Sequence, residues 1–141
     1  MRAEPLAEAS LEGAAELDFV DALLDATERL CDRVPGLAET DRTMFTLAVC
    51  EIATNIAEHA LPRGDETVRL RVTLSIDADA MQAVFVDTGH PATLDLGAVA
   101  LPGDDAESGR GLAIVRASVD DLSHDADDGN TWRILRRRRT G

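Results

Sequence analysis

Aromatic and basic residues are scarce in this sequence. Aromatic residues make up 3% of the chain and tyrosine is absent, so we do not expect nucleic-acid bases to stack on aromatic side chains. Only 14 basic residues stand against 27 acidic ones, and the net charge of −13 argues against binding to nucleic acid or to an anionic membrane. The acidity is compatible with a basic protein partner, but the simpler interpretation is that it keeps the protein soluble.

Cysteines and long apolar runs are also scarce. The two cysteines, Cys31 and Cys50, lie in helical patterns without metal-ligand spacing, so we expect them to be reduced and buried. Residues 1–10 lack the apolar core of a signal peptide, and no run is long enough to cross a bilayer. We therefore expect a cytoplasmic protein whose 141 residues form a single domain with its own core.

The periodicity of apolar residues predicts a mixed helix and strand order. In chain order it predicts two helices, two strands, a helix and a strand, over residues 17–34, 41–60, 68–76, 81–87, 109–122 and 131–135. Asp41 is predicted to cap the second helix. Residues 1–13 are expected to be loosely structured, residues 90–107 to form a long loop, and residues 136–141 to form a solvated basic tail.

The second helix carries three polar residues one turn apart. Glu51, Asn55 and His59 follow one another at i, i+4 and i+8 and so share one helix face, while Ile52 and Ile56 face the core. A carboxylate in a cleft can orient or deprotonate a hydroxyl group. An amide oxygen suits Mg²⁺, which also binds phosphates. On spacing alone, an ordinary solvated helix face is the simpler interpretation.

Two glycine-containing segments add features of a nucleotide site. Asp87 ends a strand and could accept a hydrogen bond from an amino group such as that of adenine, while Gly89 lets a flat base approach the backbone. Gly109, Arg110 and Gly111 precede a helix, where free N–H groups and an arginine favour phosphate. Each segment alone fits an ordinary turn or helix start equally well, and neither is a Walker A loop or a Rossmann fingerprint.

Together, the three segments resemble the ATPase/kinase superfamily of gyrase, the heat-shock chaperone, histidine kinases and MutL (GHKL). Glu-x-x-x-Asn-x-x-x-His-Ala resembles its N box, Asp-x-Gly its G1 box, and Gly-Arg-Gly-Leu-x-Ile-Val its G2 box. Within the superfamily, residues 47–60 and the Gly-Arg-Gly-Leu helix start are most similar to the small anti-sigma factor serine kinases of the RsbW type. The resemblance implies the Bergerat ATP-binding fold, of class α/β (α+β): a two-layer sandwich with a mixed, mostly antiparallel sheet covered by about three helices.

The resemblance also implies roles for individual residues. Glu51 would be the general base, Asn55 would bind Mg²⁺, and Asp87 would bind the adenine amino group of ATP. The loop over residues 90–107 would be the ATP lid, in which Pro91 replaces a glycine that is common in the family and changes the flexibility of the lid. The remaining positions that the resemblance assigns to nucleotide binding are His59, Gly89, Gly109, Arg110, Gly111, Leu112 and either Asn130 or Thr131.

The resemblance implies an ATP-binding anti-sigma regulatory factor with serine/threonine protein kinase activity. It would phosphorylate an anti-sigma factor antagonist of the STAS type, bind a sigma factor, and pair as a homodimer. A non-catalytic nucleotide-binding regulator that acts only by protein–protein interaction is the main alternative. The ATP-binding half of a histidine kinase needs a phosphoacceptor histidine, which none of His59, His90 and His124 resembles. A gyrase-like ATPase needs a transducer domain, which we do not expect in this sequence. A plain α/β domain that binds no nucleotide also stays open.

Overall fold

The computed structural model describes residues 4–90, 107–126 and 129–139, without the side chains of residues 107–110. In chain order, these residues form β1 (Ala7–Ala14), α1 (Leu17–Asp32), α2 (Glu39–His59), β2 (Arg69–Ile76), β3 (Ala80–Asp87), α3 (Glu107–Ser118), β4 (Asp121–Asp125) and β5 (Asn130–Arg137). No helix within these ranges combines the length and the hydropathy that a membrane span requires. The six predicted helices and strands are present in the predicted order, and two further strands, β1 and β4, are also present.

The strands form one five-stranded sheet in the order β1-β2-β3-β5-β4, and each neighbouring pair is antiparallel. Side chains alternate along β2, β3 and β5, so that one face of the sheet is buried and the other is partly exposed. The helices cover the buried face, through contacts of α1 with β1 and β2 and of α2 with β3 and β5. This architecture confirms the predicted two-layer α+β class.

An aliphatic core fills the space between sheet and helices. The sheet contributes alternating residues such as Leu70, Val72 and Leu74, and α2 contributes Phe45 and Ile52, all of them without solvent exposure. Each such side chain stabilises the fold by roughly 1.5–3 kcal/mol through burial. The apolar stripe of α2 thus faces the sheet, which turns the neighbouring polar face of the same helix towards α3.

The two edge strands were not predicted. β1 spans residues 7–14, all but the last of which fall in the segment 1–13 that was expected to be loosely structured. Its Ala-rich sequence has little strand propensity, and pairing with β2 stabilises it. β4 replaces the end of the helix predicted over residues 109–122. The Ser118 hydroxyl donates to the carbonyl of Ile114, the helix ends there, and the N–H of Asp120 already donates to Leu135 in β5.

Asp41 does not cap α2, because the helix begins two residues earlier with Ala38 at the N-cap. Its carboxylate is completely buried and accepts hydrogen bonds from Arg136 Nε at 2.9 Å and from the backbone N–H of Arg139 at 2.7 Å. Arg136 is 6% exposed and also donates to the carbonyl of Ser118. The prediction of a solvated tail is therefore wrong for Arg136, which forms a buried ion pair between β5 and α2.

Both cysteines are free thiols, as the sequence predicts, but only Cys31 is buried as predicted. Cys31 is buried, Cys50 is half-buried, and neither forms a disulfide. Burial raises the pKa of the Cys31 thiol, with a smaller opposing effect from the positive charge of Arg42. Cys31 is therefore a protonated, packed side chain of the core rather than a reactive group.

Candidate functional site

Helices α2 and α3 pack side by side, and their contact brings the first and third sequence segments together. A Cβ atom placed on Gly111 would lie only 2.8 Å from Oε2 of Glu51, closer than real Cβ contacts come. The Glu51 carboxylate therefore lies directly against the backbone of α3, at a position that only glycine leaves open. The sequence assigned Gly111 to phosphate binding, whereas in this structure it makes room for Glu51.

Asn55 lies one helical turn beyond Glu51 on the same face of α2. Its Oδ1 atom is buried, and no hydrogen-bond donor within the described ranges reaches it. A buried acceptor without a partner costs about 1–3 kcal/mol, and such groups usually mark a bound water, ion or ligand. An amide oxygen is a suitable Mg²⁺ ligand, so Asn55 fits the predicted metal ligand.

A magnesium ion at Asn55 would need few further protein ligands. Within residues 4–90, 107–126 and 129–139, no three His, Cys, Asp or Glu side chains form a group that could hold a metal ion. Mg²⁺ commonly keeps several waters and binds one or two protein groups together with substrate phosphates, so one amide oxygen is a sufficient protein contribution.

His59 ends the row on α2 and differs from the other two residues. Glu51 and Asn55 are half-buried, whereas the side chain of His59 is 48% exposed, with Nε2 lying 3.8 Å from Oε2 of Glu58. The structure thus places His59 at the solvent-exposed C-terminal end of α2. The buried Ile52 and Ile56 confirm which face of this helix packs on the sheet.

Asp87 ends β3 with a carboxylate that is almost completely buried, at 2% exposure. Its Oδ1 accepts hydrogen bonds from the N–H of Gly89 at 2.9 Å and from Nδ2 of Asn130 at 3.0 Å. Among the described residues, none donates to Oδ2. One oxygen therefore fixes the carboxylate to the protein, and the other remains able to accept a hydrogen bond from an amino group of a base.

Glycines allow the close approaches around Asp87. A Cβ on Gly89 would lie 3.1 Å from Asp87 Oδ1 and 3.2 Å from the carbonyl of Leu61, while the N–H of His90 donates to that same carbonyl. The G1 segment thereby packs against the C-terminal end of α2. Gly129 has φ of +97°, and a Cβ placed on it would clash with the carbonyl of Asp87.

The structure distinguishes Asn130 from Thr131. The alternation of β5 places Asn130 on the buried face, directly opposite Asp87 in the register, and places Thr131 on the other face of the sheet. Asn130 also donates to the carbonyl of His90 at 2.9 Å and contacts Nε2 of His124 at 2.8 Å. Asn130 is therefore the polar residue of β5 that faces the candidate base site.

The G2 segment lies within α3 rather than in a turn before it, because this helix begins at Glu107. The N–H groups in the first turn of an α-helix find no acceptor within the helix, and Gly109 lies in this first turn of α3. Such a terminus favours anions. Leu112, which the resemblance assigns to nucleotide binding, is 2% exposed and packs into the core. The side chain of Arg110 and the lid segment 91–106 lie outside the described residues.

Sheet order and helix placement together define a two-layer α+β domain. The sequence model of the histidine kinase-like ATPase domain family matches residues 13–136, and the chain belongs to this family. The ATPase domains of the family bind ATP. The fold is similar to the histidine kinase domain of the Erythrobacter litoralis EL346 blue-light activated histidine kinase, with a TM-score of 0.54 and 17% sequence identity. That match covers 84% of this chain and 58% of the other. No curated protein matches this chain.

Proposed function

We propose that this protein is an ATP-dependent protein kinase that phosphorylates a serine or threonine of a docked protein. One contact carries the proposal: the Glu51 carboxylate lies against the α3 backbone at Gly111, one helical turn from the unpartnered oxygen of Asn55. Membership of the ATPase family supports ATP as the phosphate donor. The similarity of residues 47–60 to anti-sigma factor serine kinases favours an antagonist protein of the STAS type as the substrate and a sigma factor as a second partner.

ATP would lie between α2 and α3, with its base at the ends of β3 and β5. Oδ2 of Asp87 would accept a hydrogen bond from the adenine amino group, and Gly89 would lie against the ring. The phosphates would lie towards the N-terminus of α3 and Asn55, where bound Mg²⁺ would neutralise their charge. The sequence contains no lysine, so arginine side chains would supply further positive charge to the phosphates and backbone N–H groups would supply hydrogen bonds.

Glu51 would position the attacking hydroxyl group and take its proton. A bond forms between the hydroxyl oxygen and the γ-phosphorus, while the bond from that phosphorus to the β–γ bridging oxygen breaks and ADP leaves. The proton moves to the Glu51 carboxylate. Such a reaction depends mainly on placement and electrostatics, so a carboxylate held in a fixed position is the main group that the protein must supply.

Asp87→Asn is expected to weaken Mg-ATP binding by roughly 10- to 150-fold, which corresponds to the 1.5–3 kcal/mol of a hydrogen bond to a charged group. Oδ1 already accepts from Gly89 and Asn130. The new amide would keep its oxygen at those two donors and turn its NH₂ towards the base, where an acceptor is required. Calorimetric titration of both proteins with Mg-ATP measures the difference.

Asp77→Asn is the matched control, because it removes the same charge at the opposite end of β3. Its Oδ1 accepts from the N–H groups of Asp79 and Ala80, a role that asparagine can take over. This variant should bind Mg-ATP like the parent protein. Unchanged affinity in the Asp87 variant would remove that residue from the base site, and a parent protein that binds no ATP at millimolar concentration would contradict the proposed function.

Gly111→Ala is expected to slow phosphate transfer by about 10- to 100-fold without weakening the fold. The added methyl group takes the place of Oε2 of Glu51, and the flexible glutamate side chain moves aside. A misplacement of about 1 Å can lower a rate by about 10²-fold. Alanine is the better helix former by about 1 kcal/mol, so the melting temperature of the variant should equal or exceed that of the parent.

A double substitution tests whether Gly111 acts through Glu51. Transfer of labelled phosphate from ATP to a STAS-type antagonist protein is measured for Gly111→Ala, Glu51→Gln and the two combined. If alanine acts by displacing the carboxylate, it adds little to the loss caused by Glu51→Gln. Losses that simply multiply would show that Gly111 affects transfer in another way, such as through the phosphates.

A further inference from the structure

The edge strand β4 reaches the base site through one histidine. Nε2 of His124 lies 2.8 Å from Oδ1 of Asn130, whose Nδ2 lies 3.0 Å from Oδ1 of Asp87 and 2.9 Å from the carbonyl of His90. These contacts form a continuous chain from β4 across β5 to the end of β3. His124 is therefore connected to the carboxylate that the proposed function assigns to adenine, although it does not touch the base site itself.

The directions of these hydrogen bonds follow from the donors that are present. The amide nitrogen of Asn130 has two hydrogens, and it donates them to Asp87 Oδ1 and to the carbonyl oxygen of His90. The amide oxygen of Asn130 must then accept, so Nε2 of His124 carries a hydrogen. A flipped amide would turn its oxygen towards two acceptors and its NH₂ towards the histidine N–H.

The imidazole ring itself is held in place by Trp132. The two residues face each other in the β4–β5 register, and their ring centroids are 4.2 Å apart at an interplanar angle of 42°. Trp132 is 3% exposed and belongs to the core. The position of the His124 donor is thus fixed by packing, which lets it determine the orientation of the Asn130 amide.

We propose that His124 is a positioning residue that makes the site selective for 6-aminopurine nucleotides over 6-oxopurine nucleotides. Its N–H holds Asn130 as a donor to Oδ1 of Asp87, which keeps Oδ2 turned to the base. Adenine presents an N6 amino group to that oxygen, whereas guanine presents the O6 acceptor and is repelled. This inference rests on the proposed binding of adenine by Asp87 and extends it to the residue that sets the geometry of the carboxylate.

His124→Phe keeps a ring against Trp132 but removes the N–H donor, and His124→Gln returns an N–H donor. We expect the phenylalanine variant to bind Mg-ATP about three- to tenfold more weakly, the effect of one hydrogen bond. The ratio of ATP to GTP affinity should fall by a similar factor, and the glutamine variant should recover most of it. Ser123→Ala, on the other face of β4, is the control and should change neither affinity.

Calorimetry with Mg-ATP and Mg-GTP separates positioning from a merely structural role. Equal loss of both affinities together with a lower melting temperature, or an unchanged ATP to GTP ratio in the phenylalanine variant, would overturn the proposal. A parent protein that binds neither nucleotide would instead contradict the proposed function. In that case ¹⁵N NMR of the nucleotide-free protein still tests the orientation of the hydrogen bonds. We expect His124 to carry its hydrogen on Nε2, and a hydrogen on Nδ1 alone would overturn the inference.

Discussion

Glu51→Gln is expected to slow phosphate transfer to a protein hydroxyl by roughly 10²- to 10⁴-fold, the usual contribution of a general base. Glutamine has the shape of glutamate, so the contact with Gly111 and the packing of α2 on α3 are retained. Its amide cannot take up the proton of the attacking hydroxyl. ATP affinity should stay within about twofold, because no contact to the base changes. Single-turnover transfer to a STAS-type antagonist and calorimetric titration measure the two effects.

Glu58→Gln is the matched control on the same helix. Its carboxylate is 46% exposed and lies near His59 at the solvent end of α2, so the substitution should leave both transfer and ATP binding unchanged. Transfer at the parental rate in the Glu51 variant would show that the base assignment is wrong. A parent protein that binds ATP and a partner but transfers no phosphate would favour the non-catalytic regulator over the kinase.

The central elements could be predicted from the sequence because their apolar residues repeat strongly. The alternation of Leu70, Val72 and Leu74 predicts β2, and the stripe of Phe45 and Ile52 predicts α2, each of which the structure confirms. Both patterns arise because one face of each element meets the core. The N segment lies on α2, and the G1 segment lies at the end of β3, whose apolar residues alternate in the same way. The polar row of α2 and the end of β3 could therefore be predicted.

The edge strands carry no comparable pattern. In β4, Leu122 continues the helical spacing of Val115 and Val119, so the sequence alone does not show where α3 ends. The strand is stabilised instead by pairing with β5, a contact between residues distant in the sequence. The sequence did not indicate the positioning role of His124 for the same reason, because that role depends on its place opposite Trp132 and beside Asn130.

Close contacts between distant segments were equally invisible in the sequence. Gly111 suggested a phosphate loop, but its lack of a Cβ serves Glu51, which is 60 positions earlier in the chain. Asp41 has the residue type and position of a helix cap, but its partner Arg136 lies in β5. In both cases the residue type was informative, and only the fold identifies the group that it contacts.

Asp41→Ala is expected to lower the free energy of unfolding by about 3–5 kcal/mol, since it removes one partner of a buried ion pair. Arg136 would remain at 6% exposure with its charge uncompensated, and the backbone N–H of Arg139 would lose its acceptor. Domains of this kind are stable by only about 5–15 kcal/mol in total. Urea denaturation of the parent and the variant measures the difference.

Two further variants make this expectation specific to burial. Asp32→Ala breaks an ion pair with Arg42 at 2.8 Å, but with the side chains 61% and 26% exposed the loss should stay below about 1 kcal/mol. Asp41→Leu combined with Arg136→Met should recover part of the stability, because well-packed apolar residues can replace a buried pair, while the N–H of Arg139 and the carbonyl of Ser118 still lose their partners. If Asp41→Ala were as mild as Asp32→Ala, the ion pair would not anchor α2 to the sheet, and the alignment of Glu51 and Asn55 would depend on the apolar packing of the helix alone.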